Sequence, residues 1–246
     1  MNDPAIKISA LHKGYRNHTV LAGIALEIKA GEYFGIVGMN GAGKTTLIKS
    51  LLDFCQIDSG TIRIFGTAHN RTAARNHLAF LPERFNPPYY LTGREFLDYT
   101  GTLYGQRYER TEIEAAFRHL DLDLTALSQP VRDYSKGMAQ KLGLTACLLS
   151  RRALLVLDEP MSGLDPKARA LFKAYLQQRR TRMSLFFSTH LLNDVESLCD
   201  RLAILHEAKI CFIGSPRQCC ERYQAETLEK AYLAAIGATA DLSSAA

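Results

Sequence analysis

The chain has 246 residues, 47% of them hydrophobic and 22% charged, the composition of an ordinary globular domain or pair of small domains. Seventeen glycines and eight prolines exclude a collagen-like or Pro/Gly-rich chain, and no apolar run approaches the ~18 residues that cross a bilayer. The net charge of +5 is spread along the sequence; it suits phosphate ligands or an anionic membrane face and is too mild to indicate nucleic acid.

The first residues, MNDPAIKISALHKG, lack the apolar core of a signal peptide, which predicts a cytosolic protein. Six cysteines without a CxxC pair are read as reduced thiols rather than a disulfide framework or a zinc site. Short apolar segments alternate with amphipathic ones, the rhythm of an α/β domain with a largely parallel sheet. In chain order, strands are predicted over 6–11, 24–29, 33–38, 61–66, 77–82, 153–158, 184–189, 201–206 and 209–214. The early ones alternate apolar and polar residues and predict a small antiparallel edge layer. The runs 34–37, 154–157 and 185–187 hardly alternate, as expected for strands covered on both faces.

Residues 91–150 break the rhythm and read as a helical insertion. Thr92 and Glu95 form a capping box, followed by Phe96, Tyr99 and Leu103 as the expected buried face. A second helix near 111–120 is predicted to bury Ile113, Phe117 and Leu120. A third starts near Ser135 and carries Leu142, Thr145 and Leu149. The expected organisation is therefore a core from 1–90 and 151–240, a helical subdomain at 91–150, and a frayed tail at 241–246.

One segment carries chemistry by itself. Gly38-Met39-Asn40-Gly41-Ala42-Gly43-Lys44-Thr45 matches GxxxxGK[ST] at every fixed position, between a predicted strand and a predicted helix. Its glycines let successive N–H groups turn toward phosphate oxygens, and the helix start adds partial positive charge. Lys44 is expected to reach the β- and γ-phosphates and the Thr45 hydroxyl to bind Mg²⁺. Gly38, Asn40, Gly41, Ala42, Gly43, Lys44, Thr45 and Thr46 are the expected nucleotide-binding residues.

A second segment, Ala153–Leu157, is an apolar strand that stops at Asp158-Glu159. Paired acids at the carboxyl end of a buried strand need a cation or solvent, and in open α/β sheets that end faces the ligand crevice. Asp158 is the expected Mg²⁺ ligand and Glu159 the base that orients and deprotonates the attacking water. The plainer alternative is an acidic cap on the turn made by Pro160 and Ser162-Gly163.

Three more stretches carry a resemblance. Tyr134-Ser135-Lys136-Gly137-Met138-Ala139-Gln140 is similar to the signature motif of ATP-binding cassette (ABC) ATPases. Ser162-Gly163-Leu164-Asp165 resembles their D-loop, and Ser188-Thr189-His190 their switch histidine. The order and spacing from Tyr15 to His190 resemble the ATP-binding subunit of an ABC transporter over about residues 6–237. The resemblance implies a phosphate-loop NTPase core of ABC type, with ATP and Mg²⁺ as cofactors. It implies a head-to-tail homodimer or paired cassette that sandwiches two ATP molecules. Ser135, Gly137 and Met138 would then meet the γ-phosphate bound by the other subunit. His190 would position the attacking water, and Tyr15 would stack on adenine. Asp165-Pro166 reads as an N-cap and first helical residue, and by resemblance also crosses the dimer interface.

The departures from the family pattern carry information too. Glu83 stands where the family usually has Gln, and a carboxylate there could reach Mg²⁺ or its water. Tyr134, Lys136 and Met138 replace the usual Leu, Gly and Gln. With the segment Thr227–Leu233 they resemble the branch that serves ABC-2 permeases, mostly exporters. The resemblance also implies separate integral-membrane permease subunits and a place on the cytoplasmic face of the cell membrane. Phe85, Tyr89 and Tyr90 are expected in the groove that receives the permease, with packing between lobes as the alternative. A soluble ABC protein acting on ribosomes or nucleic acid is the competing function. One cassette, no sustained heptads and no basic stripe argue against it, and no direct nucleic-acid contact is expected.

Overall fold

A computed structural model describes residues 3–180 and 183–238; the expectation for the 241–246 tail falls outside them. In chain order the elements are β1 (Ile6–Tyr15), β2 (His18–Ile28), β3 (Tyr33–Val37), α1 (Lys44–Leu51), β4 (Ser59–Ile64), β5 (Thr67–Ala68), α2 (Thr72–Arg75) and β6 (Leu78–Leu81). Three helices follow: α3 (Gly93–Tyr104), α4 (Arg110–His119) and α5 (Lys136–Leu149), with short 3-10 turns at Leu124–Ser128 and Val131–Asp133. Then come β7 (Leu154–Asp158), α6 (Pro166–Gln178), β8 (Ser184–Thr189), α7 (Leu192–Leu198), β9 (Arg201–His206), β10 (Lys209–Gly214), α8 (Pro216–Arg222) and α9 (Leu228–Ala235).

Every predicted strand is present, and they sort into two sheets. β2-β1-β4-β5 is antiparallel, the expected edge layer, and β10-β9-β3-β8-β7-β6 is parallel except for β10. The missing alternation in β3, β7 and β8 has a direct cause, since all three are buried at every position. Their odd and even residues feed two different cores. Phe34, Ile36, Leu154, Val156 and Phe186 face α1 and the small sheet, with Leu47, Ile48, Ile8 and Ile62. Tyr33, Val37, Leu155, Leu157, Leu185 and Phe187 face the other way, onto Phe172, Leu176, Val195 and Leu198 of α6 and α7. At ~2 kcal/mol for each fully buried large apolar side chain, these faces are the main attraction holding strands and helices together.

The helical stretch encloses a third apolar cluster around Phe96, Leu97, Tyr108, Ile113, Phe117, Val131 and Leu142. α5 belongs to two clusters at once, with Leu142 and Ala146 in this one and Leu144 and Cys147 in the core beneath the sheet. Its close approach depends on Gly143, where a Cβ would lie 2.6 Å from Leu81 and 2.9 Å from the Phe85 ring.

The α3 expectation is half corrected. The capping box forms, with Glu95 N–H donating to Thr92 Oγ1 (3.2 Å) and Thr92 N–H to Glu95 Oε2 (2.7 Å). Phe96 is buried, but Tyr99 and Leu103 are 52% and 65% exposed. The inward face is instead Gly93, Phe96, Leu97 and Gly101. Gly101 decides this: Gly105 reverses the chain at φ +67°, Gln106 N–H returns to the Gly101 carbonyl (2.7 Å), and Tyr108 packs where a Gly101 side chain would stand. A pattern search that counts glycine as neutral cannot see that face. All six cysteines are free thiols.

Candidate nucleotide site

The parallel register brings three strand ends side by side, with Val37 opposite Thr189 and Asp158 opposite Ser188. The phosphate loop springs from the first of these ends. Gly38 has no room for a side chain, because a Cβ would meet the Leu205 carbonyl at 2.5 Å. Gly41 and Gly43 take φ of +87° and +108°, where other residues are strained. α1 begins with Gly43 as N-cap, no side chain bonded to its first N–H groups and no acid in its first turn. Those unpaired donors and the helix dipole make an anion seat.

Lys44 is buried and held over this seat, donating to the carbonyls of Gly38 (2.7 Å) and Met39 (3.3 Å). Its ammonium lies 3.6 Å from Glu159 Oε1. Glu159 N–H donates to the Ser188 hydroxyl (3.0 Å) and carbonyl (3.2 Å), which fixes a glutamate at φ +49°. Such a backbone costs of order 1–3 kcal/mol and persists only where neighbours enforce it. Glu159 Oε2 meets His190 Nδ1 at 3.0 Å, whereas Oε1 is buried with no hydrogen-bond partner. Asp158 is buried beside it and accepts from the Ser188 hydroxyl.

A cleft of about 470 Å³ opens in front of these groups, lined by Tyr15, Asn40, Gly41, Gly43, Lys44, Thr45, Thr46, Glu83 and Glu159 among others. Gly38 and Ala42 form the loop backbone behind it, Asp158 sits at the strand end, and His190 joins through Glu159. Ser135, Gly137 and Met138 do not line this cleft.

Those three residues sit on a separate surface. Ser135 is the exposed N-cap of α5, its hydroxyl accepting from Met138 N–H (3.2 Å). Tyr134 explains one departure from the family motif. Its hydroxyl donates to the Ala126 carbonyl inside the helical cluster, against Gly93, and burial pushes the phenol up to about 12. A Cβ on Gly137 would lie 2.9 Å from the Gly163 carbonyl, so the signature segment and the turn after the acid pair touch backbone to backbone. Asp165 caps α6 by accepting from Ala168 N–H (2.9 Å) and pairs with Lys141 Nζ of α5 (2.9 Å). Those two donors, the backbone N–H first, hold its carboxyl down at about 2.

Sequence reasoning missed Ser188, which fastens both acids, and Lys141, which ties α5 to Asp165. Ser188 was within reach, standing two residues before His190 in the same motif. Lys141 carries no local signal. The aromatic stretch divides. Phe85 packs edge-on against Phe96 (5.7 Å) between the two lobes' apolar clusters, while Tyr89 and Tyr90 are 68% and 69% exposed and lie edge-on to each other (5.5 Å).

Comparison with known proteins agrees with this geometry. The ABC transporter family profile matches residues 21–162. An ABC transporter ATP-binding protein of Synechocystis sp. strain PCC 6803 is 37% identical over 196 residues, covering 78% of this chain and 55% of that protein. The Nod factor export ATP-binding protein I of Paraburkholderia xenovorans is 33% identical over 221 residues, covering 88% of this chain and 72% of that one. Among solved structures, the ATP-binding subunit of an ABC transporter superposes with a TM-score of 0.85 at 27% identity, covering 94% of this chain and 99% of that one. The chain belongs to the ABC transporter family, as an ATP-binding subunit with the ATP-hydrolysing cassette fold.

Proposed function

We propose that this chain powers export through separate membrane permease subunits by ATP-driven head-to-tail dimerisation. The observation that carries the reading is Glu159, buried between Lys44 and His190 at the floor of the phosphate-loop cleft, with one oxygen lacking a hydrogen-bond partner. A carboxylate so placed can accept a proton from a water approaching the terminal phosphate, and Lys44 neutralises charge on the leaving side. His190 holds Glu159 from outside the cleft. Gly38, Asn40, Gly41, Ala42, Gly43, Thr45 and Thr46 would grip the phosphates by backbone and hydroxyl groups, and Tyr15 would stack on the base.

Thr45, Asp158 and Glu83 would hold Mg²⁺. All three offer hard oxygen donors, and among the described residues no three His, Cys, Asp or Glu side chains gather as a metal cage. An ion here needs phosphate and water oxygens to complete its shell, which is the habit of Mg²⁺. When bound it neutralises charge on the phosphate oxygens.

Ser135, Gly137 and Met138 would serve the nucleotide held by a second cassette, which fits their position on a surface apart from this chain's own cleft. On this reading residues 1–90 and 151–240 form the nucleotide-binding core and 91–150 the subdomain that presents the signature helix. Among the described residues no helix is long and apolar enough to cross a membrane, so docking on the cytoplasmic face would run through permease subunits, with Tyr89 and Tyr90 in the receiving groove. The printed name of the Nod factor relative supports export.

Glu159→Gln tests the proposal. It should bind MgATP, lose hydrolysis and accumulate as a dimer on a sizing column. Full turnover would reassign the base, and a strictly monomeric ATP-bound form would remove the head-to-tail mechanism.

A further inference from the structure

The two faces of Tyr15 have different neighbours. Over one stands the Lys13 ammonium, 4.8 Å from the ring centroid, on a side chain only 11% exposed. A lysine so buried is costly unless its charge is met. Here the ring meets it on one side and Asp58 Oδ1 on the other (3.2 Å). The second oxygen of Asp58 accepts from Gly14 N–H (2.6 Å), and Asp58 N–H donates to the His12 carbonyl (3.0 Å). One aspartate thus fastens the lysine side chain through its carboxylate and, through carboxylate and backbone N–H together, the chain on either side of it. Lys13 itself does not border the cleft that Tyr15 lines.

We infer that Lys13, clamped by Asp58, is a positioning residue that fixes the Tyr15 ring so that its free face receives the purine of the nucleotide. The inference rests on the reading of Tyr15 as the base-stacking residue. A cation over one face of an aromatic ring holds the ring in place by its quadrupole, and a ring already fixed loses less freedom when a base stacks on it.

The test uses the whole chain with MgATP and inorganic tripolyphosphate as probes. Lys13→Met and Asp58→Asn should each raise KM for ATP about fivefold, with kcat at saturation within about twofold, as the loss of one cation–π contact predicts. Lys13→Arg should restore the wild-type KM. Competition by tripolyphosphate, which has no base, should be the same for Lys13→Met and wild type. In a Tyr15→Ala background, Lys13→Met should add nothing. An unchanged or lower KM in Lys13→Met overturns the inference. So does an equal loss of tripolyphosphate affinity, which would mean simple attraction to phosphate, or full additivity with Tyr15→Ala. If Tyr15→Ala alone leaves KM unchanged, the base-stacking reading falls and takes this inference with it. A raised KM in Tyr15→Ala beside a neutral Lys13→Met removes this inference only.

Discussion

The phosphate-loop wall and the signature wall of the molecule are built to different standards of completeness. On the first, the buried charged groups have fixed neighbours: Lys44 has two carbonyls and Glu159, Glu159 has His190, and Asp158 has Ser188. On the second, the Ser135 hydroxyl caps its own helix and is otherwise exposed, at the end of a helix whose first turn carries no acid. Rigid and internally paired groups suit chemistry, because they lose no energy to rearrangement when charge develops. An uncharged cap at a positive helix end suits an anion delivered from elsewhere. The contrast is what a cassette needs if each of its two walls serves a different nucleotide.

Breaking the first wall should give the largest effect. Lys44→Ala removes contacts of a charged donor worth ~1.5–3 kcal/mol each, so MgATP affinity by calorimetry should fall ~100-fold or more. Retained tight binding would contradict the phosphate-loop assignment. Glu159→Gln comes next, with hydrolysis down ~10²–10⁴-fold and ATP affinity preserved.

The second wall is sharpened by Gly137→Ala. Its Cβ would meet the Gly163 carbonyl at 2.9 Å, a clash of ~1–3 kcal/mol that must shift one segment. Hydrolysis should drop ~10-fold while nucleotide affinity of the monomer stays at the wild-type value, because the phosphate-loop cleft is untouched. A parallel loss of monomer affinity would show that the two walls are not independent.

Acid titration separates the same two walls more gently. Asp165 is held at about 2, below its ordinary 3.8. A depressed folded-state value means stability that is fully present above pH ~4 and lost as the pH falls toward ~2. Melting curves of wild type across that window should lose an increment that Asp165→Asn, still a good cap, does not lose. The smallest effect on the isolated chain belongs to Tyr89→Ala with Tyr90→Ala. Both rings are exposed, so stability should move by no more than ~0.5 kcal/mol. On the proposed function, co-purification with permease subunits should nevertheless be lost, and unchanged co-purification would remove these rings from the docking surface.

The parts of this molecule that repeat a chemical rule along the chain were readable in advance. Gly38–Thr45 declares its loop because glycines stand where the backbone takes positive φ, at Gly41 and Gly43. The strands at 154–157 and 185–187 declare double burial by their unbroken apolar residues. What stayed hidden depends on pairs far apart in sequence. Asp58 reaches Lys13 only because β1 and β4 are neighbours in register, with His12 opposite Ser59. Lys141 finds Asp165 across 24 positions. On α3 the sequence pattern favoured Tyr99 and Leu103, and a glycine that lets Tyr108 in turned the helix another way.

The Gly163 carbonyl leaves no room for a side chain at Gly137, while Gly163 itself is held to glycine by its φ of +80°. Together with the Lys141–Asp165 pair, this contact welds the helix that ends in Ser135 to the turn that follows the acids. A push on one is therefore transmitted to the other without slack. Bulk added at Gly137 would therefore move the turn after the acids as well as its own helix.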